Sequence, residues 1–178
     1  WLVDLFEVAT GPAGAAGVSL VAVGGYGRGD LAPGSDLDLL LLHDLRHPPA
    51  ELAERIWYPI WDEGMKLGHS VRTVGEALDL ATSDLDTATS LLSIRHLAGD
   101  ATLSAGLSIA ANEQWRRKAK RYLAMLGDSI SARHAKLGEV AFLLEPDLKL
   151  GRGGLRDIHA LRWASRARRV LEGTDEAD

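Results

Sequence analysis

The chain has 178 residues, 46% of them hydrophobic and 25% charged, with no cysteine and a formal net charge of −5. That length suits one ordinary domain, or one domain with a helical appendage. Disulfides and thiolate metal sites are excluded, and the longest apolar run, Leu37 to Leu42 with Asp38 inside it, is far too short to cross a bilayer.

The charge is uneven along the chain. Residues 1–100 hold 6 Lys/Arg against 15 Asp/Glu, and residues 101–178 hold 14 against 10. Differently solvated helix faces would give this pattern; so would basic C-terminal helices facing an acidic core across a polyanionic ligand. No long like-charge block or Arg/aromatic interleaving points to nucleic acid. The opening WLVDLFEVA has no basic leader and reads as the tail of a helix. The expectation is a fragment of a longer protein, soluble and cytoplasmic, with no membrane or nucleic-acid partner.

In chain order, residues 1–9 read as a helix end and GPAGAAG at 11–17 as a loop. Val18–Val23 is a buried strand by length and β-branching. Gly24–Gly34 is turn chemistry with room for one helical turn, and Leu37–Leu42 is a second buried strand. A helix follows Pro48-Pro49, with Leu52, Ile56, Ile60 and Trp61 at helical spacing, and ends near Gly64. Residues 65–73, MKLGHSVRT, form a third strand in which Leu67, His69 and Val71 point one way and Gly68, Ser70 and Arg72 the other. From residue 75 onward the pattern is helical throughout: 75–82, 84–97 after a Ser83 cap, 102–136, and 154–172. The last helix sets arginines on one side and Leu155, Ile158, Leu161 and Val170 on the other. This gives an α/β core over residues 1–97 and a helical domain over 98–178.

The glycine loop "VAVGGYGRGDLAPGSDLDLLLLHD", residues 21–44, carries the chemistry. A Walker A loop spaced from Gly24 to Gly29 fails because Asp30 stands where Lys is needed, and a G-x-G-x-x-G fingerprint fails at the same residue. What remains is a strand, the Gly24-Gly25 turn, a helix start, and Ser35-Asp36-Leu37-Asp38 entering the next strand. Glycines let backbone N–H groups approach phosphate oxygens. Residues two apart on a strand share a face, so Asp36 and Asp38 converge as hard oxygen ligands suited to Mg²⁺. An isolated Asp-x-Asp more often caps a turn; its conjunction with the double glycine favours a metal–phosphate site.

These residues resemble the nucleotidyltransferase superfamily that includes DNA polymerase β, whose signature is a Gly-Gly or Gly-Ser turn followed by Asp-x-Asp on the next strand. Within it, GGYGRGDLAPGSDLDLLLLHD, with LGHSVRT at 67–73, SDLDTATSLLSIRHLAGD at 83–100 and EPDLKLGRGGLRDIH at 145–159, resembles the catalytic domain of the bacterial PII uridylyltransferases. The resemblance covers the chain from about residue 18.

It implies a polymerase-β-type core, a small mixed sheet with helices, followed by a helical domain. It implies transfer of a nucleoside monophosphate, UMP foremost, from UTP or ATP to a tyrosine of the nitrogen-regulatory PII protein. Gly24 and Gly25 would hold the triphosphate, and Asp36 and Asp38 would bind Mg²⁺ or Mn²⁺. Arg28 would either neutralise a phosphate or pair with Asp30; Ser35 would bond a phosphate or brace the turn. Many superfamily members place a third carboxylate on the third strand, where this chain has none. His69 is then a candidate general base, or a buried hydrogen-bonded histidine, and Asp86 is a second candidate or a helix-start residue. Lys149, Arg152 and Arg156 would clamp the phosphates or serve structure. The rival readings are an adenylyltransferase acting on PII, a relative with another protein target such as glutamine synthetase, and a non-catalytic nucleotide-binding sensor lobe.

Overall fold

A computed structural model describes residues 1–11, 14–31, 34–44, 49–137 and 147–171. The chain divides into two compact units, Trp1–Asn112 and Glu113–Asp178.

The first unit is built on a mixed four-stranded sheet in the order β3-β2-β1-β4. Its strands are β1 (Val18–Ala22), β2 (Leu37–His43), β3 (Leu67–Arg72) and β4 (Arg95–Gly99). β1 pairs antiparallel with both β2 and β4, and β2 pairs parallel with β3. The parallel step needs a crossover, and α3 (Ala50–Asp62) supplies it. Helix α1 (Leu2–Thr10) packs beside α3 on the same face, over a core that includes Phe6, Leu20, Ala22, Leu39, Leu41, Ile56, Trp57 and Ile60. Within α3 the buried aromatic is Trp57, whereas Trp61 is exposed. The opposite sheet face carries Ser19, Val21, Leu40 and Leu42, all buried.

The expected helix over 84–97 is a correction. Asp84, rather than Ser83, caps α5 (Leu85–Ser90), its carboxylate accepting from the Thr87 N–H. The chain then turns at 91–94 and enters β4, so the sheet runs past the boundary drawn at residue 97. The SIRHLAG run reads equally as an amphipathic helix; pairing with the fully buried β1 decides for strand. On β4, His96 Nδ1 lies within hydrogen-bonding distance of Ser19 Oγ and of Ser104 Oγ, 3.3 and 3.1 Å away. Preceding α5, α4 (Val74–Ser83) opens on a capping box in which Thr73 and Glu76 bond each other's backbone N–H.

Helix α6 (Ala101–Arg117) leads into the second unit, which also holds α7 (Ala119–Leu137) and α8 (Leu155–Leu171). The expected single helix over 102–136 is interrupted at Lys118, although the Lys118 and Tyr122 N–H groups keep their helical acceptors. Trp115 stacks on Tyr122 with ring centroids 4.6 Å apart, and its Nε1–H donates to the Trp163 carbonyl. These aromatics set the buried face of α8 as Ala160, Trp163 and Ala167. Leu155, Ile158 and Leu161, expected inside, are exposed; the side chain of Val170 lies outside the described residues.

Candidate functional site

β1 ends at Ala22, and the chain turns straight into the five-residue helix α2 (Gly24–Arg28). Gly24 makes that turn with φ +59°, a conformation costly for any side-chain-bearing residue. At the N-terminus of α2 the first N–H groups have no intrahelical acceptor, and here they belong to Gly24 and Gly25. Gly27 seats the helix: a Cβ there would lie 1.8 Å from the Ser93 carbonyl oxygen. At its far side, Arg95 donates to the Tyr26 carbonyl at 3.0 Å and lies over the Tyr26 ring, 4.6 Å from its centroid. The loop is therefore anchored by β4, an element the sequence reading did not contain.

Asp38 is the second residue of β2, and the Val23 N–H donates to its carbonyl. Its carboxylate lies in a lane between two glycines. A Cβ on Gly24 would sit 3.1 Å from Asp38 Oδ2, and one on Gly68 would sit 2.5 Å from Oδ1. Asp36 precedes Asp38 by two residues in the lead-in to β2 and is exposed. Asp38 shares the sheet face of Leu40 and Leu42. Arg28 Nε donates to Asp30 Oδ2 at 3.0 Å, while its guanidinium also lies near Gly25, whose Cβ would be 3.9 Å from Nη2. Ser35 is exposed, next to Asp36.

His69 is not brought to the aspartates. It pairs with Leu39 across β2–β3 and so projects to the α1/α3 face, opposite Asp38. There it packs against Trp57 and Trp61, with centroids 5.4 and 5.2 Å away. His69 is exposed there, a correction to the expected buried histidine, and it lies on the sheet face opposite Asp38. Asp86 is exposed in the first turn of α5, as a helix-start residue would be. No cluster of three or more His, Asp or Glu able to hold a metal occurs among the described residues.

In the second unit, the GRGGLRDIH segment forms a closed turn. Asp147 Oδ1 accepts the Lys149 and Leu150 N–H groups at 2.9 and 2.8 Å. Asp157 accepts the Gly153 N–H at 2.7 Å, a bond from His134 Nε2 at 2.9 Å, and one from Arg133. Burial pushes the Asp157 carboxyl up; the Gly153 N–H, the His134 hydrogen bond and the Arg133 and His134 charges outweigh it and hold the group below its usual range. The aspartates of this motif thus hold the loop and the α7–α8 pairing.

Known proteins agree with the motifs. The family described as nucleotidyltransferase domain matches residues 12–88, and that described as GlnD PII-uridylyltransferase matches residues 123–178. The bifunctional uridylyltransferase/uridylyl-removing enzyme of Streptomyces coelicolor is 52% identical over 99% of this chain and 22% of its own length. That of Mycobacterium tuberculosis is 48% identical over 90% of the chain and 20% of its length. The chain therefore spans about a fifth of the length of these curated relatives. Among solved structures, a chain from a toxin-antitoxin crystal structure with AMP-PNP aligns at a TM-score of 0.44 and 10% identity, over 71% of this chain and 97% of that one, too slight a likeness to guide function. No described helix is long and apolar enough to cross a membrane. With a nucleotidyltransferase domain followed by the uridylyltransferase-specific segment, and with half its residues shared along nearly its whole length, the chain belongs to the family of bifunctional uridylyltransferase/uridylyl-removing enzymes.

Proposed function

We propose that this chain is the nucleotidyl-transferring part of a cytoplasmic PII uridylyltransferase, moving UMP from UTP to a tyrosine hydroxyl of PII and releasing pyrophosphate. The observation that carries the reading is the Asp38 carboxylate at the mouth of β2, between Gly24 and Gly68 and two residues from Asp36. The donor set suits Mg²⁺ or Mn²⁺: two hard carboxylates, flanked by glycines whose missing side chains leave room beside them. Asp36 and Asp38 would hold the ion, which when bound neutralises the triphosphate and the charge developing on the reacting phosphate.

The chain's own part is positioning. Gly24 and Gly25 offer backbone N–H groups at a surface without side chains, where phosphate oxygens can approach closely. Arg28, beside Gly25, adds positive charge there, in competition with its pairing to Asp30. The anchoring of α2 by Arg95 and by the Gly27 contact holds those donors in place before substrate arrives. With His69 on the other face, proton removal from the tyrosine falls to a group other than His69.

Labelling decides the matter. With purified PII, Mg²⁺ and UTP or ATP labelled at the α-phosphate, label should pass to PII from UTP in preference to ATP. Asp38→Asn should lower transfer by at least about 100-fold, on the scale of losing a key electrostatic contact in a transition state. Better labelling from ATP would make the chain an adenylyltransferase, and nucleotide binding without transfer would favour a sensor lobe.

A further inference from the structure

Gly68 is the second residue of β3, a strand position where glycine is unfavourable: it loses more entropy on ordering than other residues and offers no side chain to pack. Its backbone does not require it, since Gly68 is absent from the positive-φ glycines among the described residues. Gly24 differs, because its φ of +59° alone accounts for the residue type. What Gly68 does have is a close neighbour. It pairs with Asp38 in the parallel β2–β3 register, and an added Cβ would meet Asp38 Oδ1 at 2.5 Å, Cγ at 3.7 Å and Cα at 3.9 Å. Nothing else comes as near. A contact of 2.5 Å is well inside van der Waals distance, so either the carboxylate or the strand would have to shift.

We infer that Gly68 is a positioning residue for Asp38: its bare backbone lets the carboxylate lean across β3 in the orientation that faces a metal ion, an orientation that any side chain at 68 would block. The inference rests on the proposed metal role of Asp38. A side chain at 68 would push the carboxylate off β3, toward the space left by the missing Gly24 side chain, and so turn it away from its present orientation. The effect of Gly68 therefore passes wholly through Asp38, which separates it from a general need for small residues in the strand.

A double-mutant cycle combined with Mn²⁺ binding tests this on the full 178-residue chain. Gly68→Ala, Asp38→Ala and the double variant are compared by thermal unfolding, and Mn²⁺ binding is read by electron paramagnetic resonance without nucleotide. Gly68→Ala should lower the melting temperature in the native background and cost little in the Asp38→Ala background, because the clash has gone. It should also weaken Mn²⁺ binding about tenfold or more, while Gly75→Ala, whose Cβ would meet only Thr73 Oγ1 at 4.0 Å, should leave binding unchanged. If Gly68→Ala fails to fold, recovery of folding in the double variant supports the inference, and no recovery overturns it. Equal destabilisation in both backgrounds, or native Mn²⁺ binding by Gly68→Ala while Asp38→Asn has lost it, overturns the inference alone. Native Mn²⁺ binding by Asp38→Asn overturns the metal site itself and the role of Gly68 with it.

Discussion

Two aspartates, one in each unit, lie downstream of glycine-arginine runs, and their surroundings in the fold differ. Asp38 stands nine residues beyond GGYGRG and Asp157 directly follows GRGGLR, so each is an acid downstream of a glycine-arginine run. Around Asp157 the neighbouring groups are donors: a backbone N–H, an imidazole and a guanidinium all aim at one carboxylate. Beside Asp38, two glycines leave out the side chains that would otherwise press on its oxygens. A carboxylate surrounded by donors stabilises its own unit; the proposed role of Asp38 asks for room instead. Composition is the same in both cases; the difference lies in what the next strand or helix presents.

Reciprocal substitutions sharpen that contrast. The largest effect should be on activity, with Asp38→Asn lowering transfer to PII by at least about 100-fold while the chain stays folded. A large loss of stability in that variant would make Asp38 a structural residue like Asp157. Next, Asp157→Asn should destabilise the second unit by about 2 kcal/mol at neutral pH, the range for hydrogen bonds to a charged group, as followed by urea unfolding. Because the folded Asp157 carboxyl lies below its ordinary value of 3.8, its contribution is complete above that pH and is lost as pH falls through the lowered value. The native chain and Asp157→Asn should accordingly converge in stability under strong acid; a constant gap would remove the charge from the explanation.

A smaller effect is expected at Thr73, where Thr73→Ala should cost about 1 kcal/mol by removing half of the α4 capping box. Smallest of all, His69→Phe keeps a ring against Trp57 and Trp61 and should leave transfer within about twofold of native. A hundredfold loss, with the protein folded, would return His69 to the chemistry.

The glycine turn and Asp-x-Asp could be read from the chain because their meaning is local: turn conformation and strand alternation follow from adjacent residues. The same alternation already set His69 apart from Gly68, Ser70 and Arg72. It could not say which side of β3 Asp38 would share, because that depends on the β2–β3 register. β4 was missed for a comparable reason. Arg95–Gly99 has no strong strand pattern of its own, two of its five residues being charged or imidazole-bearing, and it becomes a strand through β1. Gly68 left a signal in the sequence, a glycine inside a strand, but its reason lies 30 positions away. In α8, helical spacing found the helix and chose the wrong face, because Trp115 and Trp163 are joined by a contact spanning 48 residues.

The place of β4 bears on how this protein can be cut. A fragment ending at residue 88, where the nucleotidyltransferase match stops, would keep the glycine loop and both aspartates. It would also strip β1 of a neighbour along one side and expose the hydrogen-bonding groups of VSLVA, a strand whose five residues are all buried. An apolar strand with an open edge is a template for joining other chains. Such a fragment should come out of cells as aggregate, and its silence in an assay would say nothing about the site it still carries.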